Sequence, residues 1–366
     1  MLKGKNVAVI CSLDGYANSD KPAEIKTILE SRGHKITLIN TKNISRLSDN
    51  GVKRLLPSPT LKKLSLYSLE VLAYLINKYS PKSYKRFLTY GQTMMQMRLR
   101  SYIVARLLSA YDIIICENAF DSLVLLKDLS GAKKIYDCAT PLADELYYGA
   151  LLTEAQYRKF KKMEISVYDS VDHLSFHWKS YADYVKKYYK DTGNIFTFDS
   201  SVQCINETAH YAREPRIVYI GYLGGYWINL PLLSRLSKLY NIDVYGSPAP
   251  DAKYGLNYKG YANPSVLADY QFGLITITQD RLRREGFSAK HLVYLSFGLP
   301  TLVPEWRTSA GLIKGSIFYN ENNFLDVIKK YSSRQAWEAA SRDALTHVKL
   351  YSTENTMREF IAIIEA

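Results

Sequence analysis

The chain has 366 residues, 47% of them hydrophobic, which is enough apolar material to fill the cores of two domains. No apolar run approaches the ~20 residues that a membrane-spanning helix needs, and the polar DGYANSD that follows MLKGKNVAVICSL lacks the small-residue cleavage site of a signal peptide. The four cysteines are scattered without CxxC spacing, which argues against disulfides and structural zinc and favours reduced thiols in a cytosolic protein.

The net charge of +13 is concentrated in the first third of the chain. Residues 1–110 contain 19 Lys and Arg against 6 Asp and Glu, whereas the rest of the chain holds 29 of each class. This asymmetry predicts an anionic partner on one side of the protein, either a membrane surface or nucleic acid.

The first forty residues have the pattern strand, helix, strand. NVAVICSL (6–13) is an apolar run typical of a buried parallel strand, and HKITLIN (34–40) is a second one. Between them, Asp20 can cap a helix that has Pro22 in its first turn and Gly33 after its end. Such a βαβ unit predicts a parallel sheet that binds ligands at the carboxyl ends of its strands.

Further strand–helix units follow in two series. The first continues with strands at 111–118, 133–138 and 171–176, and the second begins after a polar stretch near 205–215 with strands at 216–225, 242–247, 272–278 and 301–304. We therefore predict an N-terminal domain over 1–205 with a basic amphipathic insertion at 51–110, and a second domain over 215–350. A C-terminal helix within 351–366 is expected to pack back toward the first domain, with Met357, Phe360, Ile361 and Ile364 on one face.

The stretch EGFSAKHLVYLSFGLP (285–300) combines a polar beginning with an apolar remainder. Ser288 is a suitable helix N-cap, and Lys290 and His291 fall in the first helical turn. The exposed N–H groups and partial positive charge of a helix start suit a diphosphate, and Lys290 adds a full charge. The alternative is that Lys290 only lies over the protein surface.

Four segments of the second half, in order, are GYLGGYWINL, VYGS, NYKGYANPSVLADYQFGLITIT and EGFSAKHLVYLSFGLPTLVP. This succession resembles the donor-binding domain of GT-B glycosyltransferases of group 1 (family 4) and covers most of 216–304. KKIYDCATPLADEL and SVYDSVDHLSFHWKSYADYV resemble the last units of the acceptor domain of that family. The resemblance implies an α/β fold with two Rossmann-like, doubly wound domains that face a central cleft.

The resemblance also implies roles for individual residues. Glu285 stands at the first glutamate of the Glu-x7-Glu pattern of the family, which is associated with donor-sugar hydroxyls, while Val293 occupies the position of the second, ribose-binding glutamate. Around Ser288 and Lys290 the chain is also similar to xanthan-type glucuronosyltransferases, which are inverting, so the stereochemistry stays open. The donor-binding set is Gly221, Gly224, Gly225, Tyr258, Tyr261, Arg284, Glu285, Ser288, Lys290 and His291.

These donor-side candidates have ordinary alternatives. The Gly221 turn lets a backbone approach a ligand, although many strand–helix turns carry glycine. Tyr258 and Tyr261 lie on the loop where the family contacts its nucleobase, but the chain has 31 tyrosines that also serve packing. Arg281, Arg283 and Arg284 would recognise the carboxylate of a uronic acid, or they form a solvated face.

An inverting transfer needs a general base at the carboxyl ends of the N-terminal strands. Asp14, Asp144 and His177 are the candidates there, with Glu285 on the donor side, while Asp137 is open to a structural interpretation. The chain has no DxD motif, so neither a metal-bridged diphosphate nor a cofactor is expected. The nucleotide sugar itself is a substrate.

Residues 51–110 carry 11 Lys and Arg and one acidic residue, Glu70, interleaved with Leu, Tyr, Phe and Met. Basic amphipathic helices of this kind suit an anionic membrane surface, where a lipid-linked acceptor arrives. Nucleic-acid binding is the rival interpretation and lacks a recognisable motif. The third interpretation is that residues 51–110 form core helices with a basic outer face.

Together these features predict a cytoplasmic glycosyltransferase, peripheral on the inner face of the membrane. It would move a sugar from a UDP-linked nucleotide-diphosphate donor, with a uronic acid as one option for that sugar, to a lipid-linked or growing saccharide in bacterial surface-polysaccharide biosynthesis. No nucleic-acid partner is expected. The alternative is a non-catalytic GT-B-like partner subunit or saccharide-binding protein, which Val293 favours.

Overall fold

The computed structural model of the chain describes residues 4–11, 21–41, 82–117, 119–129, 131–197, 201–202 and 208–366. The chain divides into two compact units, residues 1–198 with 359–366, and residues 199–358. Within these described ranges, each unit contains one six-stranded sheet. The predicted site residue Asp14, the predicted cap Asp20 and positions 51–81 of the basic insertion lie outside the described residues.

The first sheet has the strand order β2-β1-β3-β4-β5-β6, and all neighbouring strands are parallel. Its strands are β1 (Asn6–Cys11), β2 (Lys35–Asn40), β3 (Ile113–Cys116), β4 (Lys133–Cys138), β5 (His173–Phe176) and β6 (Ile195–Thr197). The described helices of this unit are α1 (Lys21–Ser31), α2 (Lys82–Ala105), α3 (Leu142–Tyr148), α4 (Glu154–Asp169) and α5 (Lys179–Tyr188), with a 3₁₀ helix at Ala119–Leu126. The apolar runs of β1 and β3 are almost fully buried, as expected of central parallel strands. The strand order reverses between β1 and β3, which places a ligand-binding crevice at their carboxyl ends.

The second sheet has the order β12-β11-β10-β7-β8-β9 and is also parallel throughout. Its strands are β7 (Ile217–Ile220), β8 (Ile242–Tyr245), β9 (Asn257–Tyr258), β10 (Phe272–Leu274), β11 (Thr301–Pro304) and β12 (Ser316–Tyr319). The α-helices are α6 (Leu230–Leu239), α7 (Arg281–Glu285), α8 (Ala289–Ser296), α9 (Phe324–Tyr331), α10 (Arg334–Val348) and α11 (Thr353–Glu365), and a 3₁₀ helix at Thr308–Leu312 follows β11. Here the order reverses between β7 and β10, so the equivalent crevice lies at the carboxyl ends of these two strands.

β10 is shorter than the sequence predicts, whereas α11 forms where the sequence places it. β10 ends at Leu274, earlier than the predicted strand, because Ile277 leaves the parallel ladder and pairs antiparallel with Ile228. α11 forms with its predicted apolar face buried, and its last residues belong to the first unit. There Lys5 Nζ donates a hydrogen bond to the carbonyl of Ile364 at 2.8 Å.

Candidate functional site

The carboxyl ends of β7 and β10 are joined by a tyrosine from α8. The Tyr294 hydroxyl accepts from the Ile220 amide at 3.0 Å and donates to the Leu274 carbonyl at 3.2 Å. Gly273 leaves room for this ring, since a Cβ at that position would run into it. These contacts dock α8 with its first turn beside the point where the strand order reverses.

Lys290, in that first turn, lies against the end of β7. Its ammonium donates a hydrogen bond to the Tyr219 hydroxyl at 2.6 Å and sits 3.9 Å from the centroid of the same ring. Gly221 has φ +148°, and a Cβ there would lie 2.6 Å from Lys290 Cε and 2.8 Å from Nζ. The structure therefore brings together two predicted site residues from separate motifs, and glycine is needed at 221 both for backbone conformation and for space.

The charge of Lys290 is poorly compensated. In the part of the chain that the structure describes, its ammonium forms no ion pair with a carboxylate, and its hydrogen-bond partner is the neutral Tyr219. Burial first, and the nearby positive charge of Arg307 second, lower the pKa of Lys290 to about 7. A half-buried cation held in this way favours the binding of an anion.

The surroundings of Lys290 supply further hydrogen-bonding groups. Ser288 occupies the N-cap position of α8, but its hydroxyl accepts no hydrogen bond from the helix start. The His291 amide already donates to the Ser288 carbonyl at 2.8 Å, so the Ala289 and Lys290 amides are the ones that lack an acceptor within the helix. Just after β10, the buried Thr276 Oγ1 has no hydrogen-bond partner among the described residues. Positive charge, helix N–H groups and an unused hydroxyl together fit a phosphate group.

The loop after β9 is held close to the same strand ends. The Gly246 amide donates to the Gly260 carbonyl at 2.9 Å, and the Tyr258 hydroxyl donates to the Gly246 carbonyl at 2.8 Å. A Cβ on Gly246, whose φ is +151°, would collide with the Gly221 carbonyl. Tyr258 thus fixes the loop through its hydroxyl, while Tyr261 is 81% exposed with its ring accessible.

Gly224 and Gly225, also predicted in the donor site, make room for aromatic rings. A Cβ on Gly224 would meet the Tyr222 hydroxyl and Pro248, and one on Gly225 would meet the indole of Trp227. In the described structure both glycines therefore accommodate neighbouring side chains of their own turn.

Glu285 ends α7 and is half-buried. Its carboxylate forms no hydrogen bond or ion pair with the described residues. The neighbouring arginines differ in burial: Arg283 is buried, with its guanidinium 5.4 Å from the Tyr226 ring centroid, whereas Arg281 and Arg284 are exposed.

His291 is fully buried, unlike the rest of the predicted donor set. Its ring stacks on Phe287 with centroids 5.1 Å apart, and Nε2 lies 3.2 Å from Ser316 Oγ. Burial, followed by the charges of Arg307 and His347, holds the pKa of His291 well below its usual range. The neutral ring packs in the interior, so these contacts give His291 a structural role.

In the first unit, the predicted His177 lies against Asp137. Asp137 Oδ2 is 2.7 Å from Lys21 Nζ and 3.4 Å from His177 Nε2, and Ser175 Oγ donates to Oδ1 at 2.6 Å. Burial alone would raise the pKa of Asp137, but Lys21 and His177 outweigh it and hold this pKa well below its usual range. Burial first, and the positive charge of Lys21 second, lower the pKa of His177. They outweigh the Asp137 carboxylate, which acts in the opposite direction. The result is a neutral imidazole oriented by a buried, ionised carboxylate.

Glu117, at the carboxyl end of β3, completes this cluster and was missed by sequence reasoning. Its buried Oε1 has no hydrogen-bond partner in the described ranges. Burial first, and Asp137 second, raise the pKa of Glu117 to about 8. The available signal was its position directly after the apolar run IIIC, where the first sheet reverses its strand order.

Asp144, the other described catalytic candidate, is engaged inside the first unit. One carboxylate oxygen accepts from the Tyr157 hydroxyl at 2.6 Å and the other from the Tyr184 hydroxyl at 2.8 Å. The side chain is completely buried on α3. These contacts are those of a structural carboxylate, and they leave His177 as the described candidate at the strand ends.

Among the described residues, no group of three or more His, Cys, Asp and Glu side chains has an arrangement suited to a metal ion. Within the same ranges, no helix is both long and apolar enough to cross a membrane.

No family model matches the chain, and no curated protein matches it in sequence. Several solved structures are similar in fold. Sucrose-phosphate synthase from Thermosynechococcus elongatus superposes with a TM-score of 0.64 at 10% identity, over 98% of each chain. Anabaena HepE, in complex with UDP and glucose, gives 0.62 at 9% identity over 98% of this chain and 99% of that one.

TarM of S. aureus gives a TM-score of 0.58 at 17% identity. The match covers 74% of this chain and 58% of the TarM chain. The two parallel six-stranded sheets and these likenesses confirm the fold that the sequence predicted: the chain has the GT-B fold, with two Rossmann-like α/β units.

Proposed function

We propose that the protein is a glycosyltransferase that binds a nucleotide-diphosphate sugar at the carboxyl ends of β7 and β10. The observation that carries this proposal is the half-buried side chain of Lys290, whose charge no described carboxylate neutralises, in the first turn of α8 and against the backbone of Gly221. UDP is the proposed nucleotide because the similar HepE and TarM structures hold UDP.

Each donor group then has a proposed contact. Lys290 and the first N–H groups of α8 bind the diphosphate, with Ser288 and Thr276 in reach of its oxygens. Glu285 accepts hydrogen bonds from sugar hydroxyls, and Tyr261 offers a ring for the nucleobase. Val293 packs against the core of the second unit, so the ribose finds no carboxylate there.

The donor sugar is less sharply defined than its diphosphate. A uronic acid is a candidate because Arg284 is exposed one residue before Glu285 and can pair with a carboxylate. A neutral hexose is the other candidate, since HepE was solved with glucose.

For an inverting reaction, we propose His177 as the general base on the acceptor side. It would accept the proton of the acceptor hydroxyl while that oxygen bonds to the anomeric carbon and the nucleotide diphosphate leaves. The ionised Asp137 at 3.4 Å would stabilise the imidazolium that forms. A retaining reaction would need electrostatic stabilisation instead of this proton transfer.

UDP and UDP-glucose are expected to raise the melting temperature of the wild-type protein by several degrees. At a ligand concentration of 100 times Kd the stabilisation is about 2.7 kcal/mol. Differential scanning fluorimetry with uridine and glucose as controls measures whether the diphosphate is required. If no nucleotide diphosphate stabilises the protein while a saccharide alone does, the non-catalytic saccharide-binding alternative replaces this proposal.

We further propose that the enzyme works at the inner face of a membrane, on a lipid-linked acceptor of surface-polysaccharide biosynthesis. The helix α2 supports this proposal, because one of its faces is buried and the other is exposed. Thr93, Met97, Ser101 and Val104 are buried, whereas Met95, Arg98 and Tyr102 are exposed. The exposed side borders an open depression of about 610 Å³. Apolar, aromatic and basic side chains on one exposed face suit an anionic membrane surface.

Arg98→Glu combined with Arg106→Glu is expected to reduce co-sedimentation with liposomes of anionic phospholipid severalfold, since each basic residue near such a surface contributes about 1 kcal/mol. Arg342→Glu combined with Lys349→Glu, an equal charge change at exposed positions of the second unit, is the matched control. Equal sedimentation of both variants and wild type would count against this face. Arg100 is unsuitable for the test because it pairs with Asp121 at 2.7 Å.

A further inference from the structure

The segment from Arg283 to Ser288, which carries Glu285 and leads into α8, is held from its inner side by the 3₁₀ helix after β11. Arg307 Nε donates to the Arg283 carbonyl at 3.2 Å, and its terminal nitrogen donates to the Gly286 carbonyl. Ser309 Oγ lies 3.3 Å from the Arg284 carbonyl and 3.0 Å from that of Gly286. The side chains of Arg307 and Ser309 thus bind three backbone carbonyls of this short segment, those of Arg283, Arg284 and Gly286.

Arg307 is unusual for an arginine because it is 0% exposed. A buried guanidinium is costly unless its N–H groups are satisfied, and a planar fork of donors is well suited to several carbonyls at once. A surface arginine would not need this arrangement. Its placement under a candidate ligand-binding segment indicates a role in the geometry of the site.

We propose that Arg307 is a positioning residue of the donor site, which fixes the Arg283–Ser288 segment and so places Glu285 and the first turn of α8. This inference rests on the proposed function and adds a residue to it. Arg307 does not touch the donor in this assignment, since its side chain is enclosed. It acts through the backbone that it binds.

The position of Arg307 has a second consequence, which is electrostatic. Among the residues that the structure describes, the groups that face Lys290 are the neutral Tyr219 hydroxyl and the permanently charged Arg307. The Arg307 charge disfavours protonation of Lys290 in the unliganded protein. Bound diphosphate reverses this preference, so donor binding takes up a proton when the pH is above about 7.

The test measures UDP-glucose affinity by isothermal titration calorimetry between pH 6 and pH 9. This probe is chosen because its diphosphate has no proton that titrates in that range. For the wild type, affinity should decline as the pH rises past about 7. Arg307→Met should weaken binding about 10-fold at pH 6 and move the midpoint of the decline upward by roughly half a pH unit to one unit.

Ser309→Ala and Arg307→Lys are the matched variants, because both retain a positive charge at 307 while disturbing the hydrogen bonds to the segment. Both should bind UDP-glucose a few-fold more weakly with the midpoint unchanged. They also keep the inference testable if Arg307→Met does not fold.

The inference is overturned if Arg307→Met binds like the wild type, or binds more weakly with an unmoved midpoint, because the latter indicates a purely structural residue. Wild-type affinity in both Ser309→Ala and Arg307→Lys also overturns it. A wild-type protein that binds no nucleotide diphosphate at any pH refutes the proposed function itself, which distinguishes the two failures.

Discussion

Lys290→Met is expected to bind UDP-glucose about 100-fold more weakly than the wild type, and to be more stable than the wild type without ligand by about 1–2 kcal/mol. Binding falls because the variant lacks the cation that we place against the diphosphate. Stability rises because the fold no longer has to hold an ammonium between the neutral Tyr219 and the positive Arg307. Methionine retains the unbranched stem of lysine and suits the space beside Gly221.

The stability difference should depend on pH in a defined direction. The pKa of Lys290 is about 7 in the folded protein, whereas an unfolded lysine has a pKa of about 10.4. Below about pH 7 the folded protein bears the full cost of the charged side chain. Between about pH 7 and 10 folding releases the proton, the cost decreases, and the wild type and Lys290→Met should converge.

Urea unfolding at pH 6 and pH 9 measures the stability difference, and UDP-glucose calorimetry at pH 6 measures the loss of affinity. Lys238→Met, on the exposed side of α6, is the matched control and should change neither quantity by more than about 0.5 kcal/mol. A Lys290→Met protein with wild-type affinity would contradict the donor-site assignment. If Lys290→Met had wild-type affinity and were also less stable than the wild type, the claim that the Lys290 charge is uncompensated would be wrong as well.

The proposed donor side could be assembled from the sequence because its signals are local. The run RIVYI followed by glycine predicts a strand and a turn, and the polar start of EGFSAKHLVYL predicts a helix that begins near Lys290. Parallel α/β topology then places both at the carboxyl edge of one sheet. The contact of Lys290 with Gly221 follows from this rule and not from any motif that spans both.

The role of Arg307 and the contacts of Asp137 with Lys21 and His177 could not be predicted in this way, because the partners are distant in sequence. Arg307 lies in the polar turn EWRTS, which is typical of a surface loop, and only the folded chain shows it enclosed with the Gly286 carbonyl. Lys21 reaches Asp137 from the start of α1 across 116 positions of sequence. No local pattern distinguishes these residues from ordinary solvated charges.

Asp144 is a residue that the sequence suggested as a catalytic base but that the fold buries. Its place after the IYDC strand made it a candidate base, but the first turns of α3 bury Leu142, Ala143 and Asp144 together. The hydroxyls of Tyr157 and Tyr184 then satisfy the carboxylate. A hydrophobic neighbourhood rich in tyrosine can bury an aspartate without giving it a catalytic role, and the sequence does not show which tyrosines approach it.

Asp137→Asn is expected to lower the free energy of unfolding of the first unit by about 3–5 kcal/mol at pH 7, because it removes the carboxylate that lies 2.7 Å from the buried Lys21 ammonium. The melting transition of that unit should fall by about 10 °C. Glu117 should respond as well: Asp137 is one of the groups that raise its pKa to about 8, so in the variant this pKa should be lower. Urea unfolding followed by circular dichroism measures the stability change.

The pH dependence has the sign expected of a carboxylate whose pKa is lowered by folding. Asp137 contributes its full stabilisation above the pKa of an unfolded aspartate, about 3.9, and loses it as the pH falls further. The wild type should therefore lose stability more steeply than Asp137→Asn as the pH falls from about 4 toward the lowered pKa of the folded state. The two unfolding free energies should approach each other over that range.

Ser175→Ala is the matched control, since it removes a neutral hydrogen bond to the same carboxylate and leaves the charges in place. It should cost about 1 kcal/mol. UDP-glucose affinity should be unchanged in both variants below their melting temperatures, because the donor contacts lie in the second unit. If Asp137→Asn were no less stable than Ser175→Ala, Lys21 and His177 would not depend on this carboxylate. The basis for His177 as an oriented general base would then be lost, because the Asp137 carboxylate would neither hold the ring nor stabilise its protonated form.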